Sequence, residues 1–217
     1  MLHLNLSKLK IMLFMLLFST LGHTMPATTA TVPDYCELRL SMRKLWEEHV
    51  SMTRIFIISS LANLPDRTAA TKRLMQNQRD ISKSLEPFYG VVVAQKFYEL
   101  LSEHISLAGE IVFASKVKNI KRAEVANRKW KVNADQMAAL LNRVNPSNWE
   151  LQEMQMMMHE HLKLTREEVT ARLQRDWTAD VIAYDKVHNE ILQMADALAN
   201  GLSKQFPPGS KFAITEK

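Results

Sequence analysis

The sequence predicts an all-α domain, an up-and-down antiparallel six-helix bundle built from three repeated helical hairpins. Three observations predict it. Only five glycines occur in 217 residues, and no strand-like alternation persists. Met, Leu, Ala, Lys, Glu and Gln, all good helix formers, dominate the chain. Three Glu-His pairs, Glu48-His49, Glu103-His104 and Glu160-His161, recur at steps of 55 and 57 residues in similar apolar surroundings.

Residues 1–30 read as a secretory signal peptide and cleavage zone. Lys8 and Lys10 precede an apolar run at 11–18, and small and polar residues follow. That run is too short to span a bilayer, which takes about 20 apolar residues. The mature domain, 31–207, is therefore expected in a periplasm or outside the cell, with no membrane span after cleavage. Residues 208–217 form a polar C-terminal tail.

Six helices are expected, at 35–62, 67–86, 91–117, 121–144, 148–173 and 177–204. The breaks between them carry turn chemistry. Asn63-Leu64-Pro65-Asp66 ends the first, with Asp66 as N-cap of the next. Pro87-Phe88-Tyr89-Gly90 is the second break and residues 118–121 the third. Asn145-Pro146-Ser147-Asn148 is the fourth, where Ser147 and Glu150 have capping-box spacing. Arg175-Asp176 is the fifth. Each segment bears an apolar stripe at helical spacing. On the first, third and fifth the stripe runs through Trp46, His49 and Thr53, through Leu101, His104 and Ala108, and through Met158, His161 and Thr165. On the second, fourth and sixth it passes Asn77, Asn133 and His188.

In an antiparallel hairpin, residues equidistant from the turn are level. The midpoints between consecutive members of His49, Asn77, His104, Asn133, His161 and His188 all fall in the five breaks. At 1.5 Å rise per residue, each stands about 20 Å from its turns. Six polar groups at one depth of an apolar bundle must find partners. One way pairs them within the protein: His49 with Asn77, His104 with Asn133, His161 with His188. The other brings His49, His104, His161 and His188 onto a transition metal such as Zn, Cu or Fe, imidazole being the commonest metal ligand. Glu48, Glu103 and Glu160 lie about 100° round the helix from their histidines, at the surface or as acceptors supporting them. Tyr184 and Asp185, one turn before His188, could orient its ring.

Other chemistries are disfavoured. A di-iron carboxylate bundle needs Glu-x-x-His on two helices, and here Glu and His are adjacent. His159 falls on the face opposite His161 and is expected at the surface, as are Asp80 and Asp135. The methionines at 154 and 156–158 point around the helix and read as core filler. No phosphate-binding glycine loop or Gly-x-Ser-x-Gly elbow occurs. Lys and Arg total 28 against 23 acids; without Lys8 and Lys10, 26 minus 23 leaves +3, spread without a basic face. Nucleic acid is not an expected partner. The single Cys36 permits no intrachain disulfide and reads as an inert thiol. No partner is named by the sequence, and homo-oligomer formation is open to it.

The stretches Leu45 to Val50, Thr53-Arg54, Asn77-Gln78, Asp80-Ile81, Phe88-Tyr89-Gly90, Glu103-His104-Ile105, Asn133-Ala134-Asp135, Asn145-Pro146, His161-Leu162 and Met194-Ala195-Asp196 resemble a family of small all-helical bacterial proteins of unassigned function. The resemblance covers about residues 38–207 and implies the same helical fold. Members carry labels such as acetylglutamate kinase or glycosyltransferase. The residues here support neither, since such a kinase needs an α/β fold and phosphate-binding glycines. Some members have an acidic residue where His188 stands, which makes His188 the least required of the four. Three functions follow as expectations. The first is an exported binding protein whose His/Asn layer holds a transition metal. The second is a structural or interaction bundle whose layer only fixes register. The third is a small hydrolase or transferase with a layer histidine as base.

Overall fold

The computed structural model describes residues 31–212; the expected signal peptide lies outside them. The described chain is all-helical. It has five helices, not six: α1 (Tyr35–Ala62), α2 (Arg67–Lys116), α3 (Ile120–Val144), α4 (Leu151–Gln174) and α5 (Trp177–Gln205). The expected second and third helices are one element because the break between them is a single residue. Pro87 removes one backbone donor. Gly90 alone leaves helical geometry, at φ 82° and ψ 167°, a conformation open to glycine.

That residue reverses the chain. In a straight helix Gln78 and His104 would stand about 39 Å apart. Instead, Gln78 Nε2 lies 3.2 Å from His49 Nδ1. The His49 ring is 5.8 Å from that of His161, which is 6.4 Å from that of His104. Arg67 and Lys116, at the two ends of α2, line one surface cavity. The two arms of α2 thus run back to back, and α1, α2, α3, α4 and α5 pack in a closed ring, α5 returning to α1.

The other ends follow local chemistry. Asp34, Asn119 and Asp176 cap α1, α3 and α5, their side chains accepting from Glu37 N, Arg122 N and Ala179 N at 2.9–3.0 Å. Asp66 sits at the expected cap position but makes no side-chain cap bond. The Ser147/Glu150 capping box does not form either. The loop instead folds on Asn145, whose carbonyl accepts from Trp149 N at 2.9 Å and whose Oδ1 accepts from Asn148 Nδ2 at 2.7 Å. This sinks Trp149 into the core and delays α4 to Leu151. Asn63 and Arg175 end α1 and α4 in the left-handed conformation, at φ 57° and 59°.

The core is layered on the three histidines. Met42, Phe97 and Met154 lie seven residues before them and are buried. Trp46, Leu101 and Met158 lie three before, also buried. Ile57, Val112 and Val169 lie eight after and form a cluster of their own. Among the described residues, no helix is long and apolar enough to cross a membrane.

Candidate functional site

His49 on α1, His104 on the second arm of α2 and His161 on α4 are buried and gathered near the bundle axis. Each has its Nδ1 tied to the residue 29 positions later, on the neighbouring helical arm. His49 faces Gln78 Nε2 at 3.2 Å, His104 faces Asn133 Oδ1 at 2.9 Å, and His161 faces Glu190 Oε2 at 2.9 Å. Asn133 was expected. Gln78 and Glu190 were not, and they displace Asn77 and His188 as direct partners.

His188 does not reach the layer. It points to nearly the opposite side of α5 from Glu190, with its side chain 28% exposed, and its Nε2 faces Glu47 Oε1 at 3.4 Å. Tyr184 packs on the His188 ring at 5.8 Å, and its hydroxyl meets Ser51 Oγ at 3.3 Å. Asp185 is exposed. Asn77 is fully buried and donates to Leu45 O at 2.9 Å, the carbonyl four residues before His49. Asn133 donates to the equivalent carbonyl, Leu100 O, at 3.1 Å. Asn77 and Gln78 therefore share the work that Asn133 does alone. Of the three glutamates, Glu103 accepts from Asn133 Nδ2 at 3.1 Å, whereas Glu48 and Glu160 pair outward with Arg73 and Lys163. His159 is half-exposed and bonded to Asp135 at 2.8 Å.

The partners set the tautomers. Asn133 spends its N–H groups on Leu100 O and Glu103, so its Oδ1 accepts from His104 Nδ1–H and the His104 Nε2 keeps its lone pair. Glu190 does the same for His161. His49 differs. Gln78 presents an amide nitrogen to its Nδ1, placing the His49 proton on Nε2. Gln78 Nε2 also serves Leu74 O at 2.9 Å and Asn77 Oδ1 at 3.2 Å, so two hydrogens face three acceptors. The layer thus gathers two imidazole lone pairs and one N–H. Burial, reinforced by the neighbouring imidazoles, pushes the His49 pKa well below the ordinary histidine value. It pushes that of His104 down to about 3. The layer is neutral at these two rings near pH 7.

Four polar atoms of the layer and its flanks are buried with no partner in the protein: Trp46 Nε1, Trp130 Nε1, Gln78 Oε1 and Glu190 Oε1. The two tryptophans pack against His49 and His104, at 5.7 and 5.0 Å between rings. Unmet groups of this kind are uncommon in a folded core. Among the described residues, no group of three His, Cys, Asp or Glu side chains is spaced to hold a metal ion.

A second polar cluster went unread in the sequence. Arg54 bonds Glu168 at 2.7 Å and Asp180 at 3.0 Å, and Arg172 bonds Asp180 at 2.9 Å. Both acids are 1% exposed. Burial raises the Glu168 pKa to about 7 despite Arg54. The only sequence signal was the match of Thr53-Arg54 with Thr165-Arg166, which marks a position and not its burial.

Compared with known proteins, the chain matches no family model, no curated protein and no solved structure.

Proposed function

We propose that this is an exported, non-enzymatic binding protein. Its central layer registers the helices and accepts a small guest, a transition-metal ion of the zinc, copper or iron class, at the Nε2 atoms of His49, His104 and His161. The observation that carries this reading is the common arrangement of the three rings. Each is held at Nδ1 from outside and leaves Nε2 without a protein hydrogen bond; His104 and His161 donate from Nδ1, as ligating histidines do. The unmet polar atoms beside them also favour a guest over a closed core. Imidazoles sharing one tetrahedral ion have ring centroids about 5.2 Å apart, so binding requires the His49–His161 and His104–His161 pairs, now at 5.8 and 6.4 Å, to close and His49 and His104 to be drawn together as well. His49 must also release its Nε2 proton. His188 is not part of this proposal.

The repeat belongs to the same reading. Three hairpins, two helical arms each, with α2 contributing an arm to two of them, place one histidine and its partner at +29 three times. Export rests on the sequence of residues 1–30.

The test is elemental analysis of protein purified without tag or chelator, with thermal melts on adding Zn²⁺, Cu²⁺ or Fe²⁺. About one ion per chain is expected, with a melting temperature that rises with metal concentration and a response lost in His104→Leu but kept in His188→Leu. Sub-stoichiometric metal and no thermal response would refute the reading.

A second reading is favoured by the constant 29-residue pairing and the present ring spacing: the layer is a register lock and nothing more. It predicts that His104→Leu is destabilising alone, because it strands a buried amide oxygen at about 1–3 kcal/mol, and that Asn133→Leu recovers much of the loss. A double-mutant cycle without coupling would sink it. The hydrolase or transferase reading has least support. None of the larger cavities described is lined by His49, His104 or His161.

A further inference from the structure

Away from the layer, two helical turns toward the pole opposite the described chain ends, the second arm of α2, α3 and α4 form a half-open cavity of about 520 Å³. That is within the usual size of a small-molecule site. Arg166, Lys118, Glu124 and Asn127 line it together with apolar side chains that include Ile111 and Val169. Among the described residues, Arg166, Lys118 and Glu124 make no side-chain hydrogen bond or ion pair. The Asn127 Oδ1 is buried with no partner. The residue as a whole is half-buried and lines the cavity.

The internal comparison sharpens this. Arg54 stands five residues after His49 and Arg166 five after His161; Gly109 holds the middle position. Arg54 is committed to two carboxylates of its own chain. Arg166 has the same place on its helix and forms no ion pair among the described residues. Beside it are a second cation, one acid, an amide and an apolar wall.

We propose that this cavity binds a small zwitterion with an apolar side chain, an apolar amino acid or short peptide. Its carboxylate is taken by Arg166 and Lys118. Its ammonium or N–H groups go to Glu124 and the Asn127 amide. Its side chains lie on Ile111 and Val169. Guanidinium binds carboxylate in a two-pronged, charge-assisted geometry, so Arg166 carries most of the selectivity. The site is independent of the histidine layer and survives if the metal proposal fails.

The experiment is titration calorimetry of the intact mature protein with L-leucyl-L-leucine, its C-terminal amide, its N-acetyl form and inorganic phosphate. Saturable one-to-one binding of the dipeptide is expected. Removing the carboxylate charge, in the amide or through Arg166→Ala, weakens it about 10- to 100-fold. N-acetylation and Glu124→Gln weaken it less. Arg166 is exposed, so the variant should keep the wild-type urea midpoint, and Arg166→Lys should restore part of the affinity. Absence of saturation at about 10 mM dipeptide, equal affinity for the amide, or phosphate binding as tightly as the dipeptide would each overturn the proposal.

Discussion

Acid should weaken this fold through His104 by an amount that can be calculated. The ring is buried, and its pKa falls from 6.5 to about 3 on folding. Below pH 6.5 the unfolded chain takes up a proton that the folded chain refuses, so stability present at neutral pH is lost as the pH falls toward 3. Each pH unit inside that window is worth about 1.4 kcal/mol per proton. Integrated between pH 7 and 4.5, His104 alone should account for about 2.5 kcal/mol. Other groups titrate in the same range: His49 in the same sense, Glu168 in the opposite one. They cancel when wild type is compared with His104→Gln, which does not titrate and can still donate to Asn133 Oδ1. The assay is urea unfolding of both proteins, metal-free, at several pH values from 7 to 4.5. The gap between them should shift in favour of the variant by about 2.5 kcal/mol as pH falls. A gap that stays constant would show that the ring is hydrated or charged in the native state, and the account of a dry, neutral layer would be wrong.

Three further outcomes are expected. Gly201→Ala on α5 should destabilise, although glycine to alanine inside a helix ordinarily gains up to about 1 kcal/mol. The added Cβ would meet Trp149 Nε1 at 2.0 Å and expel the indole, at about 3 kcal/mol or more; a stabilised variant, or tryptophan fluorescence without a red shift, would contradict this. Arg54→Met strands Glu168 in the core, while Asp180 keeps Arg172, and should cost about 3–5 kcal/mol at pH 8, read by chemical denaturation, with partial recovery on adding Glu168→Gln. Glu168→Gln alone should steepen the pH dependence between 4.5 and 7, because it removes a contribution that opposes those of His49 and His104. A carboxyl raised to about 7 contributes stability that is full below its unfolded value and lost as pH rises through 7; an unchanged pH profile would refute that shift.

The helical class and the turn positions were legible because breaks such as Asn63 to Asp66 and Arg175-Asp176 carry strong local chemistry. The count of helices was not, because one glycine can reverse a chain without leaving a loop. His49, His104 and His161 are buried on their stripes and His188 is not. Glu190 carries no sequence signal of its own, because a glutamate on a helix normally reads as solvated, and burial against an imidazole is a tertiary fact. The constant interval of 29 from His49, His104 and His161 would have pointed to Gln78, Asn133 and Glu190. Asn77, one residue from Gln78 and on the apolar stripe, obscured it. The Arg54 cluster was hidden for a related reason. Glu168 and Asp180 sit on different helices, and nothing local distinguishes Arg54, sunk on carboxylates, from Arg166 in the open.

The two ends of the described chain are stitched together. Val32 N donates to Ser210 O at 2.8 Å and Gly209 N to Val32 O at 2.9 Å, beside the Phe88, Phe206 and Phe212 rings. The polypeptide therefore enters and leaves through a single doorway. A short linker joining the termini, with a new opening cut at the Asn63 or Arg175 turn, should yield a circular permutant with the same interior. Cargo fused directly at Thr31 or Phe212 would hang from one pole, leaving the Arg166 cavity unobstructed at the other.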